Sequence, residues 1–163
     1  MPDIVVDGKT KVSFVPTIAS TALVPTAAEL TAGTSLENVL VAAGLEGLDP
    51  STAEIDNTSL ASTFDTRLPG RVSFSGTGLI LKKQSGTDTV HTTLSTSGTT
   101  GYLVIRDDVA VTTAFAAAQK VSVYPITTGQ WAYMGRGEAN SVLRYRVPTT
   151  VTAQPNLLAT VAA

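Results

Sequence analysis

The side chains best suited to chemistry in this sequence are few and scattered. His91 is the one histidine among 163 residues, and the chain has no cysteine. A histidine acting as a general base needs an orienting carboxylate and a nucleophile. The polar stretch from Thr89 to Thr93 instead favours a surface or capping histidine. Without a second histidine or any thiolate, a His-rich metal cage, a thiolate metal site and a cysteine nucleophile are excluded.

Familiar catalytic motifs are also missing. Gly8-Lys9-Thr10 imitates the end of a phosphate-binding P-loop, but that motif needs a glycine where this chain has Asp3. The residues that follow alternate as a strand, whereas the motif opens a helix. Neither a Gly-x-Ser-x-Gly elbow nor a His-Glu-x-x-His helix occurs. The sequence therefore predicts a protein that is not an enzyme and that needs no cofactor.

Two pairs of charged residues allow more than one interpretation. Asp107 and Asp108 are adjacent, and neighbouring side chains of a strand point to opposite faces, so they fit a hairpin turn better than a metal-binding pair. Arg144 and Arg146 share a strand face and could hold phosphate or a partner carboxylate. A solvated or inter-subunit face is the simpler interpretation of the arginine pair.

One short segment is rich in aromatic residues. Trp131, Tyr133 and Met134 lie beside Gly129 and the run Gly135-Arg136-Gly137. Such a cluster can form a stacking platform for bases or sugars. Ordinary packing or a subunit contact is the competing interpretation, and it is the one the sequence favours.

Composition narrows the class of protein. The chain carries 11 Lys+Arg and 13 Asp+Glu, for a net charge of -2, and only 15% of its residues are charged. That balance gives no basic footprint for nucleic-acid recognition. The longest apolar run, near residues 39–45, is far shorter than the ~20 residues that span a bilayer. The sequence predicts one domain, residues 1–163, rich in Thr, Ser, Ala and Val, whose low charge suits surfaces covered by neighbours.

The hydrophobic pattern predicts a mainly β fold. Thr26 with Glu29 forms a capping box that opens a short helix at 27–32, with Gly33 after it, and residues 88–94 favour one helical turn. Alternation predicts about eight strands, which is typical of a sandwich or barrel with one or two short flanking helices. The predicted strands are 9–15, 36–42, 71–83, 101–106, 109–113, 120–126 and 141–152, with 4–6 as a further short strand. For 36–42 a helix stays open as the alternative.

Residues 44–70 show no sustained period and are predicted to be a long loop. A stretch of this length without structure is either functional or an element that the pattern fails to reveal. Carboxylates and one aromatic residue are concentrated here, namely Glu46, Asp49, Glu54, Asp56, Phe64 and Asp65.

Several pieces, in order along nearly the whole chain, resemble the major tail tube proteins of long, non-contractile-tailed bacteriophages, as found in phages of actinobacteria. Their order and spacing carry the resemblance, since no single piece is diagnostic. The pieces are Phe14-Val15-Pro16-Thr17-Ile18-Ala19, Pro25 to Thr34, Leu60 to Phe64, Leu68-Pro69-Gly70-Arg71, Gly98 to Arg106, Thr113 to Ala117 and Lys120 to Ile126.

The resemblance implies a structural virion protein, assembled in the host cytoplasm, whose hexameric rings stack into a hollow tube. It implies a tape-measure protein and then DNA in the lumen, and tail terminator and distal tail proteins at the ends. The loop is then the candidate contact between stacked rings, disordered until assembly, and the helix at 27–32 lies outside. Strands 71–83 and 141–152 are candidates for the inner sheet, and the candidates for subunit contacts or lumen lining are Arg71, Asp107, Asp108, Arg144 and Arg146.

A lumen through which DNA slides must not hold it, because every phosphate contact adds affinity. A mildly acidic chain suits that demand, and we expect carboxylates such as Asp107 or Asp108 to face inward. Two other classes remain open at this point. One is another virion ring protein, such as a head–tail joining or tail terminator protein; the other is a carbohydrate-binding β-sandwich module.

Overall fold

The computed structural model describes residues 3–163, which form eleven strands and two short helices, so Met1 and Pro2 of the predicted domain lie outside the described residues. The predicted mainly β fold is confirmed. In chain order the elements are β1 (Lys11–Val15), α1 (Ala27–Ala32), β2 (Thr34–Ser35), β3 (Leu40–Glu46), β4 (Ser51–Asp56), β5 (Arg67–Ser73), β6 (Gly78–Lys82), α2 (Thr89–Leu94), β7 (Thr100–Arg106), β8 (Lys120–Thr128), β9 (Ala132–Met134), β10 (Arg144–Val151) and β11 (Asn156–Thr160).

Nine of the strands form one antiparallel sheet in the order β2-β1-β7-β8-β10-β6-β3, with β11 added to β8 and β9 added to β10. Strand β10 joins the two halves of this sheet. Its residues 149–151 pair with β8, whereas residues 144–148 pair with β6. The sheet can therefore curl, and side chains from its distant strands meet in one core.

The curled sheet is buried on both faces along β7 and β8. Leu103 and Tyr124 join a core that also contains Phe14 of β1 and Val147 of β10. The intervening residues, such as Val104, point to a second core beneath α1 and the C-terminal segment. Alternate residues of these strands thus enter different cores, which explains their nearly continuous apolar sequence.

Pro125 predicts an edge or a strand end, and this expectation is wrong, since β8 is an interior strand. On one side residues 122–127 of β8 pair with β7. On the other side β11 pairs with residues 120–123 and β10 with residues 126–128. Proline lacks an N–H to donate to the ladder, and Pro125 lies at the change of partner, where its carbonyl accepts a bond from Thr152 N–H.

Helix α1 begins and ends where the sequence predicts. Thr26 and Glu29 form the capping box, and the carboxylate of Glu29 also accepts a 2.8 Å bond from the N–H of Ala19. Gly33 follows the helix in extended backbone, so glycine is required here by the lack of room for a side chain and not by the backbone conformation. A Cβ there would lie 2.6 Å from Ser13 Oγ on strand β1.

Substitution of Glu29 by Gln tests the energetic role of this cap. Hydrogen bonds from the backbone of Thr26 and Ala19 lower the pKa of Glu29. Because the pKa of Glu29 is lower in the folded state than its unfolded value of 4.5, the ionised carboxylate stabilises the fold above pH 4.5. This stabilisation is lost as the pH falls through the folded-state pKa. We expect Glu29→Gln to lower the free energy of unfolding by about 1 kcal/mol at pH 7. In urea titrations, the loss of unfolding free energy caused by Glu29→Gln should be smaller at pH 3 than at pH 7. An equal loss at both pH values would contradict a stabilising role for the ionised Glu29 carboxylate.

Several predicted strands have other bounds. The single strand 71–83 is two strands, β5 and β6, because Gly76 between them has a φ of +68°, in the left-handed region. The strand 36–42 begins four residues later, as β3, and no strand forms at 4–6 or at 109–113. The predicted hairpin at Asp107-Asp108 is therefore wrong, because β7 pairs directly with β8.

Candidate functional site

Strands β4 and β5 form a separate two-stranded ribbon that includes most of the predicted long loop 44–70. We call residues 51–73 the arm. Among residues 3–163 its strands pair with each other and with no strand of the curled sheet. Every residue of β4 is exposed, and so is every residue of β5 except Gly70. The prediction of a loop is wrong for this segment, which forms two paired strands. The strands leave no hydrophobic alternation in the sequence, because neither of their faces is buried in this chain.

The tip of the arm, residues 57–66, is held by its own hydrogen bonds. Thr58 Oγ1 accepts from Thr66 N–H at 2.9 Å, and Asn57 N–H donates to the carbonyl of Thr66. Hydrogen bonds from the hydroxyl and N–H of Thr58 lower the pKa of Asp56. These local bonds join the two sides of the tip, and the disorder of this segment before assembly stays a prediction.

One face of the arm is apolar. Ile55 lies opposite Leu68 in the ladder, and Gly70 belongs to the same face, because a Cβ there would lie 3.2 Å from Ile55 Cγ1. Val72 lies beyond a shift in the register of the ladder, towards the base of the arm. The tip adds Leu60 and Phe64. The exposed fractions of these side chains are 53% for Ile55, 51% for Leu68, 60% for Val72, 106% for Leu60 and 76% for Phe64. A contiguous exposed apolar surface marks a site of interaction with another molecule.

The opposite face of the arm is polar. Arg67 Nη1 donates to Glu54 Oε2 at 3.1 Å across the two strands, in an exposed ion pair. Pro69 has no N–H, and the register of β4 shifts between Thr52 and Glu54. A proline and a bulge both discourage the addition of a further strand. The arm is therefore suited to contact through its apolar face rather than through a strand edge.

The candidate stacking residue Glu46 lies at the end of β3, outside the arm. Its Oε2 accepts a 2.6 Å bond from Arg146 Nε, and Arg146 Nη2 also donates to the carbonyl of Gly76. Arg144, two residues earlier on the same strand face, is paired with Glu138 at 2.6 Å. Both arginines are thus neutralised by carboxylates of their own chain, which disfavours an open phosphate site.

The remaining charged candidates do not converge. Asp49 is exposed before the arm, Asp65 lies at the tip, and Arg71 is exposed on β5. Asp107 accepts a 2.7 Å bond from the hydroxyl of Thr10, and Asp108 is exposed with a φ of +77°. The structure therefore brings together Glu46 with Arg146 and Glu54 with Arg67, and it leaves the other candidates apart.

Sequence reasoning missed Arg106, which is completely buried. Its guanidinium organises the segment 107–119, stacks over the ring of Phe115 at 5.1 Å and donates to four oxygens. Burial lowers the pKa of Arg106, and the nearby carboxylate of Glu37 acts in the opposite direction. The acceptors are the carbonyls of Ala110, Thr113 and Ala114 and Oε1 of Gln119, at 2.9 to 3.0 Å. The sequence offers one sign of this role, which is that an arginine ends the predicted strand 101–106.

The aromatic cluster is part of the packing of the body. His91 packs edge-on between Trp131 and Tyr145, with ring centroids 4.7 and 4.9 Å away. Tyr133 meets Trp131 edge-on, and Arg136 lies over the ring of Tyr133 at 4.6 Å. Burial raises the pKa of Tyr145. This geometry favours the packing interpretation over an open stacking platform.

Other kinds of site find no support in the part of the chain described. Residues 3–163 contain no cluster of three side chains able to hold a metal ion. Each helix has six residues, so neither is long enough to cross the apolar interior of a bilayer. The arm and its apolar face therefore remain as the principal candidate site.

Comparison with known proteins decides the family. A family model described as "Phage tail tube protein" matches residues 1–163. The chain belongs to the phage tail tube protein family. It is thus a structural tail component and a part of the virion, as the resemblance implies. The finer prediction, a tube subunit from a long non-contractile tail of an actinobacterial phage, stays a prediction.

A solved structure supports the fold of this tail tube family member. The chain is similar to a chain in the cryo-EM structure of the anti-feeding prophage baseplate, 6-fold symmetrised. The TM-score is 0.61 at 11% sequence identity, and the match covers 98% of each chain. No curated protein matches the sequence. At this identity the similarity shows the shared fold alone.

Proposed function

We propose that this protein is the repeating subunit of a hollow phage tail tube, built from hexameric rings that stack through the arm. The observation that carries the proposal is the exposed apolar surface of the arm, where five large side chains are half or more exposed. Membership of the tail tube family supports the tube, and the sixfold symmetry of the structurally similar baseplate supports six subunits per ring. The exposed apolar surface of the arm and the family membership thus both support a tube of stacked rings.

The curled sheet provides edges through which neighbours in a ring can pair. Within residues 3–163, β3 lies at one end of the sheet and pairs only with β6. An exposed edge strand is a template for pairing with another chain. A closed ring uses every such edge, so the seven residues of β3 are our candidate for the contact within a ring.

The lumen would then carry the tape-measure protein before infection and DNA during ejection. Of the 11 basic side chains, which face 13 acidic ones, five are paired to carboxylates and Arg106 is buried, so five remain to contact a phosphate backbone. Exposed Asp107 and Asp108 are the proposed lumen carboxylates. Tail terminator and distal tail proteins would cap the ends of a tube assembled in the host cytoplasm.

Negative-stain electron microscopy of the purified protein at increasing concentration tests this proposal. We expect hollow tubes of variable length with a ring repeat, because a stacking contact that is the same at every level sets no limit to growth. Single rings that never stack would instead support a head–tail joining or tail terminator protein. Monomers at all concentrations would contradict self-assembly.

A further inference from the structure

A groove at the base of the arm is the second unassigned surface of this molecule. It is lined on one side by Val72 and Phe74 and on the other by Val151, Pro155 and Leu157, with Arg71 at its rim. We call it the base cleft. The ring of Phe74 packs edge-on against core residue Tyr124, with centroids 6.2 Å apart. The floor of the cleft is therefore fixed by the core and is already formed in the single chain.

The arm of the same chain cannot fill its own base cleft. The cleft lies where the arm leaves the body, whereas Phe64 lies at the far end of β4 and β5. A strand rises about 3.3 Å per residue, so the six residues of β4 place the tip roughly 20 Å from the base. An occupant of the cleft must come from another molecule.

Apolar character and charge both match the tip to the cleft. The tip presents Leu60 and Phe64, and the cleft presents an apolar lining that includes Leu157, which is 43% exposed. Arg71 at the rim forms no salt bridge among residues 3–163, and neither does Asp65 at the tip. An acidic, apolar tip and a basic, apolar cleft are complementary.

We propose that the base cleft of one subunit receives the arm tip of a second copy, with Phe64 and Leu60 entering the cleft and Asp65 facing Arg71. This inference rests on the proposed function, because it names the surface that the stacking arm contacts. The arm tip and the base cleft are different surfaces of one chain, so the contact is heterologous and repeats from copy to copy. Each subunit then offers one free tip and one free cleft, which is the condition for an open-ended stack.

Disulfide trapping tests the pairing cleanly because the chain has no cysteine of its own. One double variant carries Ala61→Cys at the tip and Ala153→Cys in the cleft lining; both positions are exposed. The matched control carries Ala61→Cys with Ala117→Cys, an exposed site on the segment 107–119. After mild oxidation of assembled protein, we expect the first variant to give a ladder of covalent multimers on a non-reducing gel. Material above the dimer should exceed that of the control at least tenfold.

The outcomes separate this inference from the proposed function. Tubes that form normally but give equal ladders in the two variants would overturn the cleft as the receptor while leaving the tube intact. Wild-type protein that never forms rings or tubes would overturn the proposed function itself. Circular dichroism of both variants checks that each substitution leaves the β fold in place.

Discussion

A variant in which Asn-Gly replaces residues 52–72 is expected to fold and to form no tubes. Ser51 and Ser73 are direct partners in the ladder, so their Cα atoms lie close enough for a two-residue hairpin turn to join them. The arm contributes no residue to either core of the body. We therefore expect the melting temperature to stay within a few degrees of that of the wild type.

Assembly should respond very differently to this deletion. Burial of one large apolar side chain is worth about 1.5 to 3 kcal/mol, and the arm exposes five of them. Loss of even two such contacts per subunit corresponds to an increase of about 100-fold or more in the concentration needed for assembly. Sedimentation of the polymer over a concentration series measures this directly.

A matched control keeps the arm and alters only its polar face. Glu54→Gln with Arg67→Gln removes an exposed ion pair, which is worth at most about 1 kcal/mol. We expect that variant to assemble at nearly the wild-type concentration. Tubes of normal length from the armless variant, or equal losses in both variants, would contradict a role for the apolar face.

The second large effect is expected at Arg106. Arg106→Met removes the donor that four oxygens of the segment 107–119 share. Each acceptor left without a partner in partly buried surroundings costs on the order of 1 kcal/mol or more. We expect a loss of about 3 kcal/mol and, for a chain of this size, a melting temperature lower by about 10 °C.

Arg106→Lys serves as the control for charge. Lysine keeps the positive charge but lacks the planar fork that reaches acceptors on several sides. It should recover only part of the lost stability, and hydrogen exchange of amides 107–119 should rise in both variants. A methionine variant as stable as the wild type would show that the segment is held by other contacts.

The sequence predicts the body of this protein far better than its arm. In β10, Tyr145 and Val147 alternate with Arg144 and Arg146, and burial follows the same alternation. The capping box of Thr26 and Glu29 places α1 correctly. In both elements local pattern and tertiary burial agree, which is the condition under which a single sequence is informative.

The missed features depend on interactions that leave no local pattern. Ile55 and Leu68 pair across the arm although the two residues lie thirteen positions apart and neither enters the core. The segment after Arg106 bends around a buried side chain instead of forming the predicted hairpin. Of the candidate stacking residues, Glu54, Asp56, Phe64 and Asp65 lie in the arm, whereas Glu46 and Asp49 lie outside it. The apolar face leaves no local pattern, because its residues come from two strands and are interspersed with carboxylates.

A cryo-EM reconstruction of tubes assembled from the purified wild-type protein tests the central claim most directly. We predict stacked rings of six subunits in which Ile55 and Leu68 of every arm are covered by a neighbouring subunit. Tubes whose arms project into solvent with that face bare would contradict the account.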